Sequence, residues 1–169
     1  MELTLLRHAA VPKKFQNTYL GWSDVGIEEK LFDEDKACIL KKTDFDLVIS
    51  SDLIRCTQTI KKVGKTFTTD PRLREVKFKS HIEGKQFSDI EKMHSYDPLY
   101  LESEAAWHIF ICEESQALFR KRLEDFLNTL AEDKKILICS HAGSIRLMMS
   151  ILGKEVKTLK YLEHIKYNL

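Results

Sequence analysis

The residues Leu3-Thr4-Leu5-Leu6 form a short apolar run that leads directly into Arg7-His8, and the pattern recurs late in the chain. There the run Ile136-Leu137-Ile138-Cys139 leads into Ser140-His141-Ala142-Gly143. Continuous apolar runs, as opposed to alternating ones, are typical of strands buried on both faces of a parallel sheet. Because the carboxyl ends of parallel strands open onto one crevice, we expect His8 and His141 to meet there.

The rest of the chain predicts helices that would cover such a sheet. A third apolar run, Leu47 to Ile49, is followed by Ser50-Ser51-Asp52, which can cap a helix, and by apolar residues at helical spacing that predict a helix over residues 52–66. The same spacing predicts helices over 119–130 and over 145–152, the second ended by Gly153. We therefore predict an α/β fold, a three-layer α/β/α sandwich with a mainly parallel central sheet.

Two further segments complete the predicted domain. Residues 76–112 are irregular and rich in aromatic side chains, and we expect them to form a small helical cap, or lid, inserted over the sheet edge. Residues 165–169 predict an additional edge strand. A chain of 169 residues is the size of one domain, so we expect a single domain over residues 1–169.

Composition argues against several classes of partner and location. The 27 Lys and Arg nearly balance the 26 Asp and Glu, so the net charge of +1 provides no general attraction for nucleic acid or an anionic membrane. No apolar run approaches the roughly 20 residues that cross a bilayer. The four cysteines include no C-x-x-C pair, and no leader precedes the first strand. We expect a cytoplasmic monomer or homodimer that binds neither nucleic acid nor membrane.

The predicted crevice carries groups suited to phosphoryl transfer. Arg7 and Arg55 supply guanidinium forks for phosphate oxygens, with the Arg55 side chain expected to point out of the core. The small residues Ala142-Gly143 let backbone N–H groups approach an anion at a helix N-terminus. A neutral imidazole can attack phosphorus in line and form a phosphohistidine that water resolves. Glu75, in Leu73-Arg74-Glu75, is the best-placed acid to protonate the leaving group.

These residues belong to four ordered motifs, and with them the chain resembles the histidine phosphatase superfamily, also called phosphoglycerate mutase-like. The motifs are Leu6-Arg7-His8, Ser50-Ser51-Asp52-Leu53-Ile54-Arg55-Cys56-Thr57-Gln58-Thr59, Leu73-Arg74-Glu75 and Ser140-His141-Ala142-Gly143. The resemblance implies a phosphoric monoester hydrolase that works through phosphohistidine without metal or cofactor. It implies that His8 is the nucleophile, that Arg7, Arg55 and His141 bind phosphate, and that Glu75 is the proton donor.

A narrower resemblance concerns the substrate. Arg7-His8-Ala9-Ala10-Val11-Pro12-Lys13, Tyr19-Leu20-Gly21-Trp22-Ser23-Asp24-Val25 and Glu114-Ser115 resemble the bacterial α-ribazole phosphatase branch, which implies α-ribazole 5′-phosphate as substrate and a place in cobalamin biosynthesis. On this view Lys13, Tyr19, Gly21 and Trp22 contact the substrate. The opposing interpretation is that Lys13 is a solvated loop lysine and that the aromatic side chains only anchor their loop.

Other functions stay open at this point. The family resemblance also allows a phosphohistidine protein phosphatase or a phosphoglycerate mutase-type enzyme. Ala9 replaces the glycine that usually follows Arg-His, and Lys79-Ser80-His81-Ile82-Glu83-Gly84 departs from the family's segment after the acid. These departures motivate a non-enzymatic alternative, a degenerate member that binds phosphorylated ligands. A metallophosphatase is disfavoured, since two arginines in the site would repel a divalent cation.

Overall fold

The computed structural model covers residues 1–169 and contains one five-stranded sheet flanked by helices. In chain order the strands are β1 (Glu2–Arg7), β2 (Leu47–Ser50), β3 (Thr68–Thr69), β4 (Lys135–Ser140) and β5 (His164–Asn168). Their spatial order is β3-β2-β4-β1-β5, and only the edge strand β5 runs antiparallel to its neighbour. The predicted α/β fold with a mainly parallel sheet is confirmed.

The pairing of β1 with β4 sets the position of the two histidines. The strands are parallel, and Arg7 lies opposite Ser140 at their carboxyl ends. The backbone N–H of His8 donates to the carbonyl oxygen of Ser140 at 3.1 Å. His8 and His141 therefore leave the sheet side by side at the same edge, as expected from the sequence.

Six helices accompany the sheet: α1 (Glu34–Lys42), α2 (Ile54–Val63), α3 (Phe87–Ile90), α4 (Glu104–Ile111), α5 (Gln116–Leu127) and α6 (Ala142–Ile151). Short 3₁₀ turns occur at Lys13–Phe15, Glu29–Leu31, Pro71–Leu73 and Pro98–Glu102. No helix combines the length and the apolar character that crossing a bilayer would require.

The predicted cap of α2 is wrong. The helix begins at Ile54, and its N-cap residue, Leu53, provides no side-chain hydrogen bond. The N–H of Ile54 is instead satisfied by the Asp24 carboxylate, which accepts it at 2.8 Å from a distant loop. The Ser51 hydroxyl lies 2.9 Å from His141 Nε2, and the only backbone N–H that it accepts is that of Leu53, before the helix. The Asp52 carboxylate is paired with Arg74.

Apolar side chains are buried on both faces of the sheet, as the continuous runs predicted. One cluster of 20 buried residues includes Leu3, Leu5, Ile136 and Ile138, and a second of 11 includes the alternate residues Leu6, Leu137 and Cys139. The segment 76–112 joins the larger cluster through Ile82, Ile90, Phe110, Ile111 and Cys112. This segment therefore packs onto the same core as α5 and α6, whose Phe119, Leu123, Met148 and Met149 belong to that cluster.

Candidate active site

A cavity of about 140 Å³ lies at the carboxyl ends of β1 and β4, and we call it the catalytic cavity. All five residues predicted to be catalytic line it, although they come from four separate motifs. The full lining is Arg7, His8, Thr18, Tyr19, Leu20, Gly21, Arg55, Glu75, Phe78, His141, Ala142 and Tyr161. The structure thus brings the sequence-predicted groups together, while their roles in a reaction stay predictions.

The His8 ring is oriented by the backbone. The side chain is only 5% exposed, and its Nδ1 lies 2.8 Å from the carbonyl oxygen of Ala9. A neutral imidazole that donates from Nδ1 keeps a free lone pair on Nε2, the form needed for attack on phosphorus. Burial, and next the charge of Arg55, lower the pKa of His8 well below its usual value. His8 is therefore a neutral imidazole near neutral pH.

Ala9 fits the position where the family usually has glycine. Its φ is not positive, so the backbone has no need of a glycine there. Its N–H donates to Thr59 Oγ1 at 2.9 Å, and Thr59 in turn donates to the carbonyl oxygen of Arg55. The alanine keeps the carbonyl group that orients the His8 ring.

His141 is bonded to protein at both ring nitrogens. Its Nδ1 accepts from Arg55 Nε at 3.1 Å, and its Nε2 lies 2.9 Å from Ser51 Oγ. Burial, and next the Arg55 charge, lower the pKa of His141 well below its usual value, so the ring is neutral and its Nε2–H donates to Ser51. The ring centroid lies 5.3 Å from that of His8. Besides lining the cavity, His141 positions the Arg55 guanidinium.

Arg55 lines the catalytic cavity, as expected for a side chain that points out of the apolar core, but it is also buried, which the sequence did not predict. The residue is 1% exposed. Its Nη2 donates to the carbonyl oxygen of Gly21 and its Nη1 to that of Ser23, both at 2.7 Å. Helical periodicity described only the apolar stripe of α2. It carried no information about the loop carbonyl groups that accept hydrogen bonds from this guanidinium group.

Arg7 has an unused donor in a buried position. Its Nη1 donates to the carbonyl oxygen of Leu159 at 2.7 Å, but its Nε is buried with no hydrogen-bond partner. The guanidinium carbon lies 4.2 Å above the ring of Tyr161, which also lines the cavity near His8. A buried N–H without a protein partner is suited to an anion entering the cavity. Tyr161 lies in the tail after α6, where no sequence motif marked it.

The first turn of α6 binds an anion, but that anion is Glu75. The N–H of Gly143 donates to Glu75 Oε2 at 2.8 Å, and the N–H of Ser144 to Oε1 at 3.1 Å. A Cβ on Gly143 would lie 2.5 Å from Glu75 Oε1, so the close approach requires glycine. The expectation that the Ala142-Gly143 amides serve phosphate is therefore corrected for Gly143, while Ala142 does line the cavity.

Two side chains also hold the main chain of Glu75. Arg122 Nη2 donates to the Glu75 carbonyl oxygen at 2.9 Å, and Trp22 Nε1 donates to the same oxygen at 2.8 Å. Glu114 binds the Arg122 fork with both carboxylate oxygens, at 2.6 and 2.9 Å. No motif in the sequence marked Arg122. The Glu114-Ser115 motif was the only signal near this ion pair.

The four predicted substrate contacts divide into two pairs. Tyr19 and Gly21 line the catalytic cavity. Lys13 is exposed and Trp22 faces elsewhere, with the Arg74 guanidinium 4.6 Å above its ring, and neither lines the cavity. For Trp22 the interpretation as a loop anchor fits the structure better, since its indole supports Glu75 and packs against charged side chains.

A larger cleft of about 580 Å³ follows one face of α6, and we call it the α6 cleft. Its α6 wall is Gly143, Arg146, Leu147 and Ser150, the three- and four-residue spacing of one helix face. The remaining lining is Tyr19, Val76, Phe78, Glu104, Trp107, His108, Ile111, Cys112, Gln116, Phe119, Arg120 and Val156. Burial raises the pKa of Cys112 to about 12, so its thiol stays neutral.

Comparison with known proteins bears on the family and the fold of the chain. The family model described as histidine phosphatase superfamily (branch 1) matches residues 3–168. The protein TTHB049 from Thermus thermophilus is 26% identical and has a TM-score of 0.73, with 98% of this chain and 92% of that chain covered. A phosphoglycerate mutase from the same organism is 25% identical, with a TM-score of 0.72 and the same coverage of both chains.

A more distant match shows the fold alone. The mycobacterial glucosyl-3-phosphoglycerate phosphatase is 20% identical, with a TM-score of 0.76, and the match covers 98% of this chain and 88% of that chain. No curated protein sequence matches the chain.

Proposed function

The chain belongs to the histidine phosphatase superfamily, and from this membership we propose that it is a metal-independent phosphomonoesterase that forms a phosphohistidine on His8. One observation carries the proposal. A single cavity combines the free Nε2 of a neutral His8, the guanidinium groups of Arg7 and Arg55, and the carboxyl group of Glu75. A protein that only bound phosphate would need the guanidinium groups but neither an oriented nucleophile nor an acid.

The proposed reaction has two steps. His8 Nε2 attacks phosphorus while the ester P–O bond breaks, and Glu75 transfers a proton to the departing oxygen. Water then attacks the phosphohistidine and gives a proton to the Glu75 carboxylate, so that the P–N bond breaks and inorganic phosphate and neutral His8 are released. Arg7 and Arg55 stabilise the charge of the phosphoryl oxygens in both transition states.

For the substrate we propose α-ribazole 5′-phosphate. The support is the similarity of residues 7–13 and 19–25 to the α-ribazole phosphatase branch, together with the position of Tyr19 and Gly21 on the cavity wall. The structural neighbours include both a mutase and a phosphatase. We favour a phosphatase of alkyl esters because Glu75 is the one carboxyl group that lines the cavity, and an alkyl leaving group needs an acid there more than a phosphohistidine substrate does.

The test is phosphate release by EDTA-treated protein from a panel of phosphate esters. The panel contains α-ribazole 5′-phosphate, p-nitrophenyl phosphate, 3-phosphoglycerate and a phosphohistidine peptide. We expect release without metal, strongest from α-ribazole 5′-phosphate, and an acid-labile phosphoenzyme after rapid quenching. His8→Ala should abolish the phosphoenzyme, whereas Lys13→Ala, outside the cavity, should not. Release that stops after EDTA, or that survives His8→Ala, would contradict the mechanism.

A further inference from the structure

We infer that the α6 cleft receives the leaving group of the substrate, and that this group contains a flat, largely apolar ring. The inference rests on the proposed function, since it assumes that phosphate occupies the catalytic cavity. It concerns a surface that none of the four motifs includes, apart from Gly143.

The first argument is size. The catalytic cavity measures about 140 Å³ and is lined by the imidazole, guanidinium and carboxyl groups of the site. Pockets that enclose a whole organic ligand typically measure roughly 300–1,000 Å³. The catalytic cavity therefore suits a phosphoryl group alone, and the rest of an ester must extend beyond it. The α6 cleft, at about 580 Å³, falls within the typical range.

The second argument is position. Tyr19 and Phe78 line both the catalytic cavity and the α6 cleft. Gly143 lines the cleft and its N–H binds the carboxylate of Glu75, which lines the cavity. The cavity and the cleft are therefore neighbours, and Glu75, which would protonate the ester oxygen, is bonded to a residue of the cleft wall. A leaving group bonded to that oxygen would enter the near end of the cleft.

The third argument is chemistry. Most of the residues that line the cleft are hydrophobic, and Trp107, Phe119 and Leu147 are among them. Its ionised lining is of mixed sign, Glu104 with two arginines, and Arg120 is already paired with Glu124 at 2.7 Å. A small polyanion would lose hydration against these walls and would find one unpaired cation, Arg146, whereas an aromatic ring would gain contact with most of the lining. The cleft therefore selects phosphate esters of ring-bearing alcohols over phosphorylated acids.

The experiment compares two esters whose reacting ends are alike. Propyl phosphate and 2-(2-naphthyl)ethyl phosphate both release a primary alcohol, but only the second carries a ring. We expect kcat/KM to be roughly tenfold or more higher for the naphthyl ester, the scale of burying one ring, and 3-phosphoglycerate to be the poorest of the three. Ser150→Trp on α6 and Gln116→Trp on α5 each place a large side chain in the cleft, at exposed positions that do not line the catalytic cavity.

Each filling variant should reduce the naphthyl preference at least fivefold and leave propyl phosphate turnover unchanged. Lys121→Trp is the matched control, since it adds the same side chain at an exposed position of α5 outside the cleft. A preference that is absent, or that neither filling variant alters, would overturn the leaving-group site while the phosphatase stands. Failure to form a phosphoenzyme with any ester would overturn both proposals.

Discussion

Replacing Glu75 by Gln tests the acid and its anchoring at once. Both carboxylate oxygens of Glu75 accept N–H groups from the first turn of α6, those of Gly143 and Ser144. The glutamine amide keeps one oxygen and has an NH₂ group in place of the other. One of the two α6 N–H donors then faces this NH₂ group and loses its acceptor. Leaving one such partly buried group without a partner costs about 1–3 kcal/mol, and urea unfolding should show a loss of that size.

The catalytic effect should depend on the leaving group. The amide has no proton to transfer, and general acid catalysis contributes roughly 10²–10⁴-fold. We expect kcat/KM for an alkyl phosphate to fall by that factor, while p-nitrophenyl phosphate, whose leaving group needs little protonation, loses about tenfold or less. Both substrates are to be assayed well below the melting temperature of the variant. Equal losses on both would remove Glu75 from the role of acid.

A matched variant separates the carboxyl group from its position. Gly143→Ala keeps Glu75 but places a Cβ 2.5 Å from its Oε1, so the carboxylate must shift. We expect a smaller loss in the same direction, again larger for alkyl than for aryl phosphate. Ser144→Ala is the control, because it keeps both N–H donors and removes only a hydroxyl that bonds the Arg74 carbonyl oxygen at 2.8 Å and lies 3.4 Å from Oε1; it should change the ratio of the two activities little.

Three further predictions concern stability and positioning. Gly21→Ala should lower the free energy of unfolding, measured in urea, by about 1–3 kcal/mol more than Gly64→Ala does. Both glycines have positive φ, but only at position 21 would the added Cβ lie 2.8 Å from another side chain, that of Phe78. Burial lowers the pKa values of His8 and His141 below 6.5, so the unfolded chain binds more protons and stability should fall below about pH 6.5. These two histidines should contribute about 2.7 kcal/mol per pH unit to the slope, and His8→Asn should remove half of that contribution; a slope that His8→Asn leaves unchanged would contradict a neutral buried His8. Arg122→Lys removes the guanidinium group that binds the Glu75 carbonyl oxygen. The kcat for an alkyl phosphate should therefore fall while its KM changes little, and turnover of p-nitrophenyl phosphate should fall less. An effect on KM alone would argue against a positioning role.

Much of the scaffold follows from local pattern. Three continuous apolar runs predicted β1, β2 and β4, because a strand covered on both faces has no polar alternation to interrupt it. Arg7-His8 and Ser140-His141 directly follow two of these runs, so their meeting at one sheet edge followed from parallel pairing alone. The ends of the helices α2, α5 and α6 differ from the predicted ends by one to three residues; for α2 the reason is that Asp24, from a distant loop, accepts the first N–H of the helix.

The sequence by itself determined the fold class and the chemical groups delivered to the crevice, because apolar periodicity and strand-end motifs are encoded among neighbouring residues. Only the tertiary structure decided that Arg55 is buried against loop carbonyls, that Glu75 occupies the N-terminus of α6, and that Arg122 clamps the acid's main chain. It also decided where the α6 cleft opens. Each of these features depends on hydrogen bonds, or on cleft-lining contacts, between residues far apart in the chain. Such contacts produce no periodic pattern in the sequence.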